Sequence, residues 1–464
     1  MTTGQGLRTN EEIARRLGRE IARLDDLIAR QVNVILHHPA FQRLEASWRG
    51  LKYLVERLPD DHTVKLKVLN LTWAELVADQ NRALEFDQSH LFRKVYEAEF
   101  GHPGGEPYGL LLGDYEIHHR PSADHPTDDL EALAKVAGVA AAAFAPFLTG
   151  VHPSFLGLDS FTELERSLDL TKIFEQVDYI RWRSLRQAED SRFVGLTLPR
   201  ILMRLPYGTP GAPRDGLGLR EDVAGPDRSK YLWGNAVYAL GAVVVRSFVH
   251  SQWLADIRGV RTGVDSRGVK VCLDDAGLVS GLPIHSFATD RLGVATKCST
   301  DVIITDSQEK GISELGFIPL CHCHDTEFSA FYSNQSIQRP ATYDDPRATA
   351  NARLSTMLQY MLCVARFAHY IKVLARDMTG SAITPEICED ELRKWLQNYV
   401  TGSDHAGPET KARYPLREAR VQVRELPDRP GSYTCQIHLR PHYQLDQMFM
   451  SVRLSTRLAE GRAG

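Results

Sequence analysis

Near the start of the chain, apolar residues recur at Ile13, Leu17, Ile21, Leu24, Ile28, Val32 and Ile35. Steps of three and four place them along one stripe of an α-helix. Thr9 and Glu12 stand ahead of the stripe at capping-box spacing. Glu11, Arg15, Arg16, Arg19, Glu20 and Asp26 occupy the other faces, so the stripe has to dock against its own body or against another chain. The intramolecular dock is the expectation. After His38-Pro39 a second amphipathic stretch runs from Phe41 to Val55.

Beyond Pro59 the pattern alternates between strand and helix. Val64 to Leu69 reads as a strand, Thr72 opens a helix, and Tyr108 to Ile117 is a compact apolar run of the buried-strand kind. A helix from Asp129 to Phe144, a break at Pro153, an apolar run from Phe193 to Leu198 and another from Arg200 to Leu205 follow. This order predicts a mixed α/β body. The Gly/Pro-rich stretch from Tyr207 to Gly218 has neither the ending of a phosphate-binding loop nor a third glycine in dinucleotide register, and reads as an exposed loop.

From Asp345-Pro346 one long, largely buried helix is expected to about Met378, with Arg366, His369, Lys372 and Arg376 as a solvated or salt-bridged basic stripe. A shorter amphipathic helix covers Glu391 to Val400. The end of the chain then alternates in three runs, at 419–425, 433–440 and 447–455, which predicts a small β meander whose edges can accept a strand from another chain. The chain divides accordingly into a helical arm (1–38), a mixed α/β body of two subdomains (39–378) and a C-terminal domain with a helix and the meander (379–464).

Composition narrows the function classes. The 464 residues are 43% hydrophobic and 25% charged, with a formal net charge of −4, which gives no electrostatic reason to expect nucleic acid or an anionic membrane as partner. The apolar runs at 136–151 and 236–245 fall short of the roughly 20 residues a spanning helix needs. Without a basic-then-apolar leader pattern, and with seven scattered cysteines read as reduced thiols, a cytoplasmic location is expected.

Candidate chemistry centres on IPLCHCHDT at 318–326, where Cys321, His322, Cys323 and His324 are all metal-binding residue types. Strict alternation on a strand sends thiols to one face and imidazoles to the other, whereas a zinc site needs about four ligands converging on one point. The pairs Asp128-Asp129 and Asp344-Asp345 precede helical patterns and read as caps, and adjacent His37-His38 and His118-His119 do not share a face. No motif assembles a catalytic site. Two classes remain: a cytosolic α/β enzyme with a dispersed site or a Cys/His metal site at 321–324, and a protein that works by assembly.

Several strings then favour assembly. HPAFQRLEASWRGLKYLVE (38–56), QWLADIRG (252–259), QSIQRPATYDDPRATANARLS (335–355), RFAHYIKVLARD (366–377), ETKARYPLREARVQV (409–423) and LRPHYQLDQMFMSVRL (439–454) resemble, in the same order, the large subunit of the type VI secretion contractile sheath, the TssC/VipB/ImpC family. The resemblance implies a structural protein with a contractile phage-tail-sheath-like fold and a meander completed by strands from partner chains. It implies no catalytic residue, cofactor or metal. The implied partners are the small sheath subunit, further copies of the chain in a helical polymer, an Hcp-like inner tube, a baseplate and an AAA+ recycling ATPase. On this view Val421, Val423, Ile437, Leu439, Met450 and Val452 pack the shared sheet, and proline at Val423 or Val452 is expected to block polymerisation. Arg366, Lys372 and Arg376, or Arg393 and Lys394 on the short helix, are the candidates to face the inner tube. Relatives carry a longer segment ahead of the HPAFQ string than the 37 residues here, which points to an arm compressed into residues 1–10 or to a shortened paralogue in an accessory or capping position.

Overall fold

A computed structural model of the chain describes residues 3–102, 104–166, 168–212, 218–225, 227–264, 270–288, 295–324, 326–378, 384–403, 406–425, 433–442 and 452–458. Its first element, α1 (Thr3–Leu36), is the long helix that the spacing predicts. The expected intramolecular dock does not form. Ile13, Leu17, Ile21 and Leu24 are each more than half exposed, and Ile28 and Ile35 nearly so. Among the described side chains of α1 the buried one is Leu36, in its last turn.

The next helix, α2 (Pro39–Val55), starts on a proline, with His38 as its cap in the extended conformation that a residue before proline favours. It buries Ala46, Gly50 and Leu54. Gly50 lies so close to Tyr238 that a Cβ there would sit 2.3 Å from the ring, a distance that only glycine tolerates. The opposite side of α2 leaves Leu44, Trp48 and Val55 exposed.

The strand expected at Val64–Leu69 does not form: the segment carries no regular structure and joins no sheet among the described residues. Lys65 and Lys67 pin it through ion pairs to Glu106 and Glu99, and Leu66, Val68 and Leu69 are exposed. Alternation alone does not make a strand, which also needs a neighbour to share its hydrogen bonds.

Thr72 and Glu75 form a capping box at the head of α3 (Trp73–Arg82). The body then builds one six-stranded sheet from β1 (Leu111–Ile117), β2 (Phe147–Val151), β3 (Val194–Leu198), β4 (Leu278–Val279), β5 (Ile318–His322) and β6 (Ser329–Phe331), in the order β1-β2-β3-β5-β6-β4. The first four strands in that order pair in parallel; β6 alone runs the other way, pairing antiparallel with β5 on one side and β4 on the other. Residues of α3 and of α4 (Asp129–Ala142) pack one face, on Phe147, Val194, Leu196 and Leu198. Leu54 of α2 and the apolar residues of α5 (Val237–Ser251) pack the other, on Leu148, Ile318 and Leu320. The result is the mixed α/β class expected. Among the described residues no helix is long and apolar enough to cross a membrane.

One long helix was expected after Asp345; two are present. Asp345 caps α6 (Pro346–Ser355), and α7 (Leu358–Met378) follows a break at Thr356 and Met357. The break is made from outside the helix: the Leu358 amide donates to the Asn334 carbonyl at 2.8 Å, and Met357 forms a bridge with Gln335. A short helix, α8 (Pro385–Gln397), precedes the meander of β7 (Leu416–Glu425), β8 (Tyr433–Pro441) and β9 (Val452–Leu458), antiparallel in that order. All three strands are present, the third continuing to Leu458; positions 447–451 of its pattern lie outside the described residues.

The carboxyl ends of β1 and β2 carry a hub that the residue pairs only half reveal. Asp128 caps α4 as expected, its side chain accepting from the Glu131 amide. Asp129 instead turns inward, almost fully buried, and accepts from Trp73 Nε1 at 2.6 Å, the His118 amide at 2.8 Å and Thr127 Oγ1 at 2.7 Å, with His125 Nε2 2.7 Å away. The His118 ring is stacked between those of His125 and His152 at 4.0 and 4.1 Å, and Arg200 forms a two-pronged pair with Glu116 at 2.5 and 2.7 Å. Parallel α/β sheets place ligand crevices at these ends; here paired rings and charges fill the space.

Burial, and then the neighbouring His152 and His125, hold the His118 imidazole down to about 4, whereas an unfolded imidazole titrates near 6.5. Between these values the unfolded chain takes up a proton that the native ring refuses, so stability falls as the pH is lowered through the window. His118→Phe, which keeps a ring in the stack, is expected to lose less of its urea-unfolding midpoint than the parent between pH 6.5 and 4.5. Equal losses in the two proteins would show that His118 does not carry this dependence.

Candidate interaction surfaces

Three regions offer contact to another molecule: the α1 stripe, the C-terminal sheet and the charged faces of α7 and α8. Along α1 the exposed residues run as Leu17, Ile21, Leu24 and Ile28, a four-three-four spacing with isoleucine and leucine alternating. The spacing matches that of a two-stranded coiled-coil seam, with β-branched residues at one core position and leucine at the other. Helix α1 spans 34 residues, or roughly 50 Å at 1.5 Å per residue. A surface of that length and polarity is unusual on a monomer.

In the C-terminal sheet Val421, Val423, Ile437 and Leu439 are buried together with Cys435. What covers them belongs to the same chain: Cys363, Phe367 and Ile371 of α7, and Cys388, Leu392 and Leu396 of α8. Val452 opens β9 with its backbone opposite Leu439; Met450 lies outside the described residues. The covered face leaves the two edges for partners.

The register distinguishes those edges. Val423 donates its amide to Glu389 Oε2 of α8 at 3.1 Å, so that amide points away from β8. Residues facing across an antiparallel pair alternate between exchanging both hydrogen bonds and exchanging none. Val423–Cys435 is therefore a non-bonded pair, and Gln422–Gln436 and Arg424–Thr434 carry the bonds. The same alternation turns Cys435, Ile437 and Leu439 toward Thr456, Leu454 and Val452. On β9, then, Arg453, Ser455 and Arg457 direct their amides to the outer edge. The outer edge of β7 is already engaged at both ends, by Glu389 at Val423 and by residues 399–401, where the Leu416 amide donates to Tyr399 and its carbonyl accepts from Thr401.

The basic stripe of α7 is half-buried and rests largely on the chain's own rings and carbonyls. Lys372 Nζ sits 3.5 Å from the Phe100 ring centroid and 4.6 Å from that of Tyr96, and donates to the Tyr96 hydroxyl at 3.1 Å. Arg366 lies over Tyr370 and Phe248, and Arg376 donates to the His102 carbonyl at 3.0 Å. His369 is buried, its Nε2 within 2.9 Å of the Ala143 carbonyl. Cation–π contacts thus hold two of the cations, with the π-helical segment Arg93–Phe100 supplying the rings under Lys372. On α8, Arg393 and Lys394 are well exposed and share Asp390.

The tetrapeptide lies at the end of β5 as expected. Cys321 joins the core on the α4 side, while Leu320 and Ile318 face the α5 side. The buried His322 ring approaches Ser329 Oγ at 3.3 Å, and Cys323 approaches the Tyr332 hydroxyl. Burial pushes the thiols of Cys321, Cys363 and Cys435 up to about 12, which keeps them protonated and poor nucleophiles. No three His, Cys, Asp or Glu side chains among the described residues are grouped to hold a metal ion.

Comparison with known proteins adds identity to this geometry. The family model for the EvpB/VC_A0108 tail sheath N-terminal domain matches residues 18–338, and that for the EvpB/VC_A0108 tail sheath gpW/gp25-like domain matches 347–458. The short gap between the two matches, 339–346, ends at the first residue of α6. The chain is also 43% identical over 445 residues to the type VI secretion system sheath protein TssC1 of Pseudomonas aeruginosa, covering 95% of this chain and 86% of that protein.

The contrast between the two apolar surfaces is measurable. Ile437→Ala, in the core under the sheet, is expected to cost about 2–5 kcal/mol in urea unfolding. The double change Leu17→Gln, Ile21→Gln on α1 is expected to stay within about 0.5 kcal/mol of the parent. A large loss from the α1 pair would mean that the stripe is covered in the isolated chain.

Proposed function

The chain belongs to the type VI secretion tail sheath family and is a structural subunit of that sheath; from that premise we propose that it pairs with the small sheath subunit, polymerises helically round an inner tube, and contracts to drive the tube out of the cell. The observation that carries pairing is the uncovered seam on α1, which a helix of the small subunit would close. Strand addition at the outer edge of β9 would join subunits through backbone hydrogen bonds, with side chains setting register. Contraction would then be a shift between two packed arrangements of such joints rather than a chemical step.

The exposed Arg393 and Lys394 of α8 are the better candidates to face the Hcp-like tube, because Arg366, Lys372 and Arg376 are engaged on the chain's own rings and carbonyls. A baseplate would seed the polymer, and an AAA+ ATPase would recycle it, in the bacterial cytoplasm. Nothing at the carboxyl ends of the parallel strands or at 321–324 favours an enzyme over this reading.

Co-expression with the small sheath subunit followed by electron microscopy tests it. Hollow tubes are expected from the parent chain, and a chain that stays monomeric beside its partner would overturn the proposal. The register chooses the sharper proline probe. Proline at Val452 removes a donor from the chain's own β8–β9 ladder, and proline at Val423 removes the amide that Glu389 holds. Ser455→Pro acts on the outer edge alone. Ser455→Pro is expected to leave the folded subunit intact and abolish tubes; abundant tubes would show that this edge is not the joint.

A further inference from the structure

The joint between α1 and α2 is short, and something must set its angle. Only His37 and His38 separate Leu36 from Pro39. Proline restricts His38 to extended backbone, but it leaves the direction of α1 to contacts made by that helix's last turns. Those contacts converge on residues 220–222, which follow the Gly/Pro-rich loop.

Asn33 holds this segment as a neighbouring strand would. Its Nδ2 donates to the Arg220 carbonyl at 3.0 Å, and its Oδ1 accepts from the Asp222 amide at 2.8 Å. Between these bonds, Glu221 points inward to Arg204, which grips it with both terminal nitrogens and also reaches Glu45 of α2 at 2.8 Å. The side chains of Glu221 and Arg204 are 1% and 3% exposed, so the charges sit where breaking one partner is expensive. His37 Nε2 lies 3.5 Å from the same Glu221 carboxylate. The segment 220–222 thus touches the end of α1 by its backbone and α2 through a buried ion network.

We propose that Asn33 is a positioning residue: with Glu221 and Arg204 it fixes the direction in which α1 projects, so that the exposed seam is presented to its partner as a rigid element. The inference rests on the reading of that seam as the contact for the small subunit. Asn33 touches no seam residue in this role; it acts through the 220–222 segment. Aligning a long helix in advance lowers the ordering cost of association, the general benefit of preorganisation. An unclipped α1 would swing about the two-residue joint and present the same side chains with less effect.

Two measurements on the full chain separate this role from folding and from the seam itself. Spin-labelled noncanonical residues at the exposed positions Glu20 and Glu56 report the α1–α2 distance by pulsed electron paramagnetic resonance. Co-purification with the small sheath subunit reports pairing. For Asn33→Ala the expected result is a distance distribution at least about twofold broader, pairing weakened about tenfold, corresponding to about 1.4 kcal/mol, and an unchanged unfolding midpoint. The seam variant Leu24→Gln, Ile28→Gln should keep the narrow distribution and lose pairing. A narrow distribution in Asn33→Ala overturns the positioning role whatever the seam does. Full pairing by the seam variant with a broadened Asn33→Ala distribution leaves the clip standing and overturns the reading of the seam.

Discussion

Helix α7 takes part in three hydrophobic cores at once, and the relation between the body and the C-terminal sheet depends on it. Met361 packs with the α3 and α4 side of the central sheet, Leu358 and Leu362 with the α5 side, and Cys363, Phe367 and Ile371 under the meander. Interiors are packed too densely for such a helix to adjust to one core without disturbing another. The break at Thr356 and Met357 follows from this position. It lets α7 start in the direction that the cores impose, independent of α6, while the Asn334 carbonyl takes the first amide of the new helix.

Local patterns made much of this arrangement legible. Spacing placed α1, α2, α4 and the strands β1, β3 and β5, and capping residues Thr72, Asp128 and Asp345 marked helix starts, because each depends on neighbours a few residues away. What escaped depends on distant partners. Val64–Leu69 has the alternation of a strand, but no local signal tells whether an edge is available to it. Thr356 and Met357 suit a helix, and the contacts that interrupt them come from Asn334 and Gln335. Tyr96 and Phe100 beneath Lys372, and Phe248 beneath Arg366, lie more than a hundred residues away in sequence, so local pattern shows the charges of that face and not the rings they rest on.

The surfaces show the same division. Val421, Val423, Ile437 and Leu439 were legible as the buried side of a sheet, yet not what buries them, since α7 and α8 come from outside the meander. The outward direction of particular amides required one tertiary contact, Glu389 on Val423, and then followed from alternation. Asp129 was read as a cap because its neighbour is one; its burial depends on Trp73, the His118 amide and His125, which lie outside its own helix. The family strings gave the protein's class independently of these local decisions, and the two tail sheath domains and the TssC1 relative bear that class out.

The unequal edges of the meander carry a consequence for symmetry. An edge strand that pairs with the same edge of another copy makes a two-fold, closed contact, and such a pair cannot propagate. With β7 engaged at Val423 and Leu416 by its own chain and β9 at the other border of the sheet, the two edges are not equivalent. Growth through the β9 edge onto a strand of different sequence escapes the closure that pairing of two identical edges imposes. The carboxylate of Glu389, by occupying one amide, is part of what makes the two borders of one small sheet unlike each other.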